Sequence, residues 1–374
     1  MAAKLALYGA AVLALLLGAS PARAQSPPPP PQKPAFTLST EEMARELAGL
    51  VEECLRDKKY EKAFKLLKQL IFLKPEDATR QLQLGQVCLK LGRFPEAVKA
   101  FKQAILFKAD YPEAHFALGG AYILLDKPED AVEVLNRGLR LQAKSDEGFL
   151  LLGAAHFLLN HYSEAAAAYR QAVQLNSQSA AAHLGLGQAY SWLGQYQDAV
   201  EALNQTLRLN PKNAGAYLEL AAAYSNLGQY EKGLEACRQA LSLEPAWSEV
   251  HYGLGELYAG LGQYGEALTA YKLAVRLQPD SYQALTGLGE ALARLDHYDE
   301  AVDSFKSAIR LKQNYARAHF SLGMAYLDKG FKMGALEEYE TLRTMDLQLA
   351  RTLLPYIVQE FSFDWKLRER SKTR

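Results

Sequence analysis

A Leu-Gly-x-x-Tyr signature returns every 34 residues through most of this 374-residue chain, and that period constrains the fold more than any other feature. Its glycine stands at Gly85, Gly119, Gly153, Gly187, Gly255, Gly289 and Gly323, each step being 34 residues except one of 68 whose midpoint is Ala221. A second small residue follows twelve positions later, from Ala97 and Ala131 to Ala301 and Ala335, with Gly233 in one copy. Projecting one unit back gives Leu50, Val51, Tyr60, Ala63 and Pro75, so a degenerate first copy begins near Ala44 and nine copies cover residues 44–349. A strict period of this length marks a solenoid, in which each unit buries its apolar faces only against its neighbours.

Within a copy, small and apolar residues at helical spacing (Leu186, Gly187, Tyr190) precede a break and a second stripe (Ala199, Leu203, Leu207). Each copy is therefore expected to be a helical hairpin. The break carries Gly92, Gly194, Gly228, Gly262 or Gly330, with Asn160 at the same offset, residues that tolerate the left-handed conformation ending a helix. Pro95 and Pro128 suit the first turn of the second helix, and Pro75, Pro211, Pro245 and Pro279 end it. Gly and Ala let the paired helices approach closely, and Tyr190, Tyr224 and Tyr258 are expected to fill the gaps between hairpins.

These residues resemble the tetratricopeptide repeat family over nine copies, and Leu-Gly-Gln-Tyr at 193–196, 227–230 and 261–264 falls at the turn that family uses. The resemblance implies an all-α, right-handed superhelical solenoid whose first helices line a concave groove holding peptides or partner proteins. The first copy departs from the pattern at Val51 and Cys54, and the last at Lys332 and Leu347. End units of a solenoid turn one face to water and are expected to be atypical. Residues 350–374 are read as a capping helix and basic tail, the helix running from Thr352 to Phe361 with Pro355 disturbing its first turn.

Residues 1–24 read as a signal peptide: Lys4, an apolar run from Leu5 to Leu17, then Ala22-Arg23-Ala24. That run falls short of the roughly 20 residues a membrane-spanning helix needs, so cleavage is favoured over a retained anchor. Export follows as an expectation, to a periplasm first, with secretion or tethering by an uncleaved segment as alternatives. Residues 25–43, with Pro27 to Pro31, form a stiff lead-in. Lys+Arg and Asp+Glu balance at 42 each, which disfavours nucleic acid as a partner.

No motif for chemistry survives inspection. Gly260, Gly262 and Gly265 spell G-x-G-x-x-G, but no strand precedes them and they span an inter-helix turn. His115, His183, His251 and His319 share one offset two copies apart, too far for a common metal, and are read as aromatic packing residues. Cys54 and Cys88 share an offset in adjacent copies, beyond disulfide reach, and Cys237 sits on a core offset. The expectation is a protein with no catalytic residues, cofactor or metal.

By the resemblance, the first-helix offsets facing the groove hold Leu82, Phe116, Leu150, Leu184, Leu218, Tyr252 and Phe320, with Phe157 and Trp192 one turn further on. Two readings fit these nine residues: an apolar wall for a peptide, or core between neighbouring hairpins. The Lys, Asn and Arg clamp of chaperone-binding relatives is missing, as is the asparagine ladder of O-glycosyltransferase arms, whose offset holds Gln83, Ala117, Leu151, Gly185, Glu219, Gly253 and Gly287. The expected role is an exported scaffold or adaptor that binds a protein or peptide segment in assembling an envelope or secretion complex. The alternative is a self-associating homo-oligomer or accessory subunit.

Overall fold

The computed structural model describes residues 39–372, with side chains as far as residue 360. The signal segment, the proline run and the side chains of the basic tail lie outside the described residues. Among the described residues the secondary structure is entirely helical, and the chain divides into two compact units between Gln195 and Tyr196.

The first unit contains α1 (Thr40–Arg56), α2 (Tyr60–Leu73), α3 (Ala78–Lys90), α4 (Phe94–Phe107), α5 (Pro112–Leu124), α6 (Pro128–Leu141), α7 (Asp146–Leu158), α8 (Tyr162–Leu175) and α9 (Ala180–Trp192). The second contains α10 (Tyr196–Leu209), α11 (Ala214–Asn226), α12 (Tyr230–Leu243), α13 (Ser248–Gly260), α14 (Tyr264–Leu277), α15 (Tyr282–Arg294), α16 (Tyr298–Leu311), α17 (Ala316–Asp328), α18 (Lys332–Met345) and α19 (Leu347–Lys372). In each unit, sequence-adjacent helices pack as antiparallel hairpins, and first helices of successive copies also touch, as α5 does α7 and α13 does α15.

One turn is built nine times. A residue with positive φ stands at positions 58, 92, 126, 160, 194, 228, 262, 296 and 330: five glycines, Asn160, and also Lys58, Asp126 and Asp296. In the second copy the N–H of Gly92 donates to the Leu89 carbonyl (3.1 Å) and that of Arg93 to the Cys88 carbonyl (2.8 Å), occupying carbonyls that the ending helix leaves open. First helices are opened by side-chain caps at one recurring position: Asp77, Ser145, Ser179, Asn213 and Ser281 each accept the N–H three residues on.

The core is made where a glycine of the first helix meets a large residue of the second. A Cβ added at Gly85 would stand 2.3 Å from the Phe101 ring, at Gly153 2.7 Å from Tyr169, and at Gly289 2.6 Å from Phe305. Tyr169 is clasped between Gly153 and Gly185, and Tyr271 between Gly255 and Gly287, glycines of successive first helices. These second-helix rings are almost wholly buried, whereas Tyr190, Tyr224 and Tyr258, expected to fill the gaps, are only half-buried. A ring on the second helix reaches the seam directly, while one late in the first helix lies near its edge.

Both ends differ from expectation. α1 begins at Thr40, ahead of Ala44, because Ser39 and Glu42 form a capping box: the Ser39 N–H donates to Glu42 Oε2 (2.8 Å) and the Glu42 N–H to Ser39 Oγ (3.3 Å). α19 starts at Leu347 and carries Pro355 in its interior, on the exposed side, where one missing backbone donor faces water. Ala350, Leu353 and Ile357 are buried at helical spacing and seat α19 on α17 and α18, closing the core.

Candidate peptide-binding face

Four of the nine candidate wall residues are buried, all in the first unit, and the other five keep part of their side chains accessible. In the first unit Leu82, Phe116, Leu150 and Phe157 are buried. Phe116 on α5 wedges between its own hairpin partner and the next hairpin: a Cβ at Gly138 on α6 or at Gly148 on α7 would stand 2.7 Å from its ring. These four residues pack as core, which removes them from any accessible wall. Leu184 on α9 is half-buried, and Trp192, 58% exposed, stacks on Tyr162 with centroids 5.2 Å apart and an interplanar angle of 11°. Phe157 meets the same Tyr162 edge-on at 5.3 Å.

In the second unit Leu218, Tyr252 and Phe320 are half-buried and open onto hollows. Leu218 of α11 and Tyr252 of α13 line one of about 310 Å³, with Ala222 and Asn226. Phe320 of α17 lines another of about 900 Å³, with Met324 and with Tyr356 reaching in from α19. Glu256 lines both.

The floor of this face is an ionic network that the apolar stripe does not reveal. Arg317 Nη2 donates to Glu290 Oε2 (2.5 Å), its Nε to Glu290 Oε1 (2.9 Å), and Nη2 also reaches Glu256 Oε1 (3.4 Å). Tyr271 Oη donates to Glu256 Oε1 (2.5 Å) and Ser321 Oγ to Glu290 Oε1 (2.9 Å). The hydrogen bond to Glu290 raises the Arg317 pKa further, while burial, with Glu256 beside them, lifts the Tyr252 and Tyr271 hydroxyls above the ordinary tyrosine range. The guanidinium is thus already held by two carboxylates and is not free to clamp a ligand's carboxylate. A signal was present in the sequence: one residue past the signature glycine, Gln86, Gly120, Ala154, Gln188 and Ala222 give way to Glu256 and Glu290. Arg317 appears six residues before Gly323, where earlier copies hold Glu113, Glu147 and Glu249.

The four repeat-offset histidines pack and also bond. Their Nε2 atoms lie 3.2, 3.1, 3.1 and 2.8 Å from the carbonyls of Ala109, Ser177, Pro245 and Gln313, six residues earlier, so each ties the inter-hairpin turn. His319 alone adds a carboxylate, Glu338 Oε2 at 2.6 Å from Nδ1, and this bond raises its pKa. Cys54, Cys88 and Cys237 are free and buried, and burial pushes the thiols of Cys88 and Cys237 up to about 11 and about 12. Gly260 ends α13, Gly262 turns with φ of 74° and Gly265 lies in α14, so the glycine triplet is an ordinary turn.

Sequence models described as tetratricopeptide repeat match residues 112–145, 157–222, 193–257, 252–316 and 294–346, and one described as TPR repeat matches 85–126. No curated protein matches the sequence. Among solved structures, the APC/C hetero-tetramer Cut9-Hcn1 is 15% identical, covers 85% of this chain and 87% of its own, and superposes with a TM-score of 0.53. A tetratricopeptide repeat protein from Parabacteroides merdae is 16% identical over 67% of this chain and 99% of its own, with a TM-score of 0.51. MamA is 28% identical over 43% of this chain and 95% of its own, with a TM-score of 0.41. The first two share the fold, and with the repeat matches they lead to one conclusion: this chain belongs to the tetratricopeptide repeat family.

Proposed function

We propose that this protein is a non-catalytic adaptor that holds a segment of another polypeptide against the first-helix face of its second unit. One observation carries the reading: Leu218, Tyr252 and Phe320 leave their side chains half-open around hollows of about 310 and 900 Å³, where the equivalent Leu82, Phe116 and Leu150 are closed into core. A concave surface that pairs apolar side chains with placed polar groups suits an extended or helical segment burying its side chains. The export signal read at residues 1–24 puts that role in the cell envelope, in assembling an envelope or secretion complex. N-terminal sequencing of the mature protein should then begin at Gln25, and retention of Met1 would contradict export by cleavage.

The test is photo-crosslinking from a benzophenone amino acid placed at Tyr252 or Phe320 in native envelopes, with exposed Lys272 on α14 as the control. Adducts from the two face positions to one polypeptide, absent from the control, are expected; no adduct from either face position would sink the reading. A second reading, self-association, is favoured by Phe72 and Leu106, equivalent positions on α2 and α4 that are 84% and 70% exposed. Sedimentation that shows an oligomer dispersed by Phe72→Asp with Leu106→Asp would support it.

A further inference from the structure

The hollows of the second unit are acidic, and we infer that they select an extended segment carrying lysine or arginine between apolar side chains. This inference rests on the reading that the first-helix face is a binding face. Glu249 stands with Tyr252 in the smaller hollow, Glu256 and Glu290 form the floor, and Asp296 and Asp328 line the larger one. Two guanidiniums oppose these five carboxylates. Arg317 is shared by Glu256 and Glu290, so one positive charge answers two negative ones. Arg294 lies over the Tyr264 ring, 5.8 Å from its centroid.

Three negative charges, on the exposed Glu249, Asp296 and Asp328, are left in excess around a concave surface, and a cleft lined by one sign of charge draws the opposite charge toward it. The chain as a whole is neutral, with 42 basic and 42 acidic residues, so the excess belongs to this face and is not a property of the entire surface. Leu218, Phe320, Met324 and Tyr356 supply the apolar surface between the charges. An extended segment presents side chains alternately, so basic and apolar residues in turn satisfy both kinds of lining. A segment bearing carboxylates would meet like charge and find the Arg317 guanidinium already engaged.

The experiment is fluorescence anisotropy of the full chain with three labelled twelve-residue peptides that share their apolar positions. The remaining positions carry lysine, glutamine or glutamate. At low salt the lysine peptide is expected to bind at least about tenfold more tightly than the glutamine peptide, and the glutamate peptide not to bind. About 0.5 M salt should shrink that gap to within about threefold, because screening then acts over only a few ångströms. Glu249→Gln combined with Asp328→Asn should weaken the lysine peptide by about threefold or more, while Glu266→Gln on the exposed side of α14 should leave it unchanged. Equal binding of all three peptides, or tightest binding of the glutamate peptide, overturns the charge selection and leaves the face itself standing. Failure of every peptide overturns both.

Discussion

The two units are built from one repeat, yet they use its first helix differently. In the first unit α5 and α7 are buried along most of their length: every residue of α5 from Ala114 to Ile123 is buried, and Phe116 and Leu150 are closed within the core. In the second unit α13 and α15 bury fewer positions, and their remaining face carries Tyr252, Glu256 and Glu290. An apolar stripe on a repeat therefore does not by itself mark a binding wall. Gly138 and Gly148 make room for Phe116 to pack inward, whereas no such pocket takes Phe320 out of solvent.

Phe116→Ala should cost about 3–5 kcal/mol in the first unit, since it empties a site enclosed by two glycines. Phe320→Ala, already open to a hollow, should cost about 2 kcal/mol or less. Hydrogen exchange read separately at α5–α7 and α15–α17 measures both, and equal losses would break the comparison.

Glycines at a single offset provide the next test. Gly287→Ala should cost about 1–3 kcal/mol, because its Cβ would stand 2.5 Å from the Tyr271 ring. Gly253→Ala should be neutral or stabilise by up to about 1 kcal/mol, since the nearest side-chain atoms, of Leu218 and Cys237, are 3.7 and 3.8 Å away. Thermal melts should therefore show Gly287→Ala lowered and Gly253→Ala unchanged or raised.

The units should also respond oppositely to pH. Hydrogen bonding to Glu338 raises the His319 pKa above the unfolded value of about 6.5, so its contribution is complete below that pH and is lost as pH rises through the raised value. Burial lowers the pKa of His156 on α7, so its site favours the neutral ring and loses stability as pH falls below about 6.5. Local hydrogen exchange between pH 5.5 and 8 should show protection falling with alkalinity in α17–α18 and with acidity in α7–α8. Glu338→Gln should abolish the first trend and His156→Phe the second.

The smallest expected effect concerns the turns. Asp126→Gly and Asp296→Gly should each stabilise their own unit by roughly 0.5–1 kcal/mol, because both residues sit at positive φ, 57° and 63°. A loss of stability would mean that their side chains do more than occupy the turn.

Most of the fold was legible because the repeat states it many times. The period, the glycine turns and the small packing positions each recur, and Lys58, Asp126 and Asp296 adopt the same turn although their identities do not announce it. The ends were less legible because a cap is written once: the Ser39–Glu42 capping box and the start of α19 at Leu347 have no second copy to compare. The site was half legible. Hydrophobicity at an offset does not say whether a side chain turns inward, which depends on glycines in the next hairpin such as Gly148. The Arg317 network was signalled only by the departures of Glu256, Glu290 and Arg317 from their offsets, and their pairing was not legible because the partners lie 27 and 61 residues away, in two earlier copies.

Pairing Leu150→Glu with Leu218→Glu asks directly whether the same offset is core on α7 and open on α11. These residues occupy one repeat offset, two copies apart, buried on α7 and half-buried on α11. Circular dichroism melts and anisotropy with the lysine peptide are recorded on the same samples. Leu150→Glu should unfold the first unit, since a carboxylate enters an apolar interior without a partner. Leu218→Glu should keep its helical content and its melting temperature to within a few degrees, with a changed peptide affinity. Loss of helicity in Leu218→Glu equal to that in Leu150→Glu, or a stable Leu150→Glu, would contradict that difference between α7 and α11.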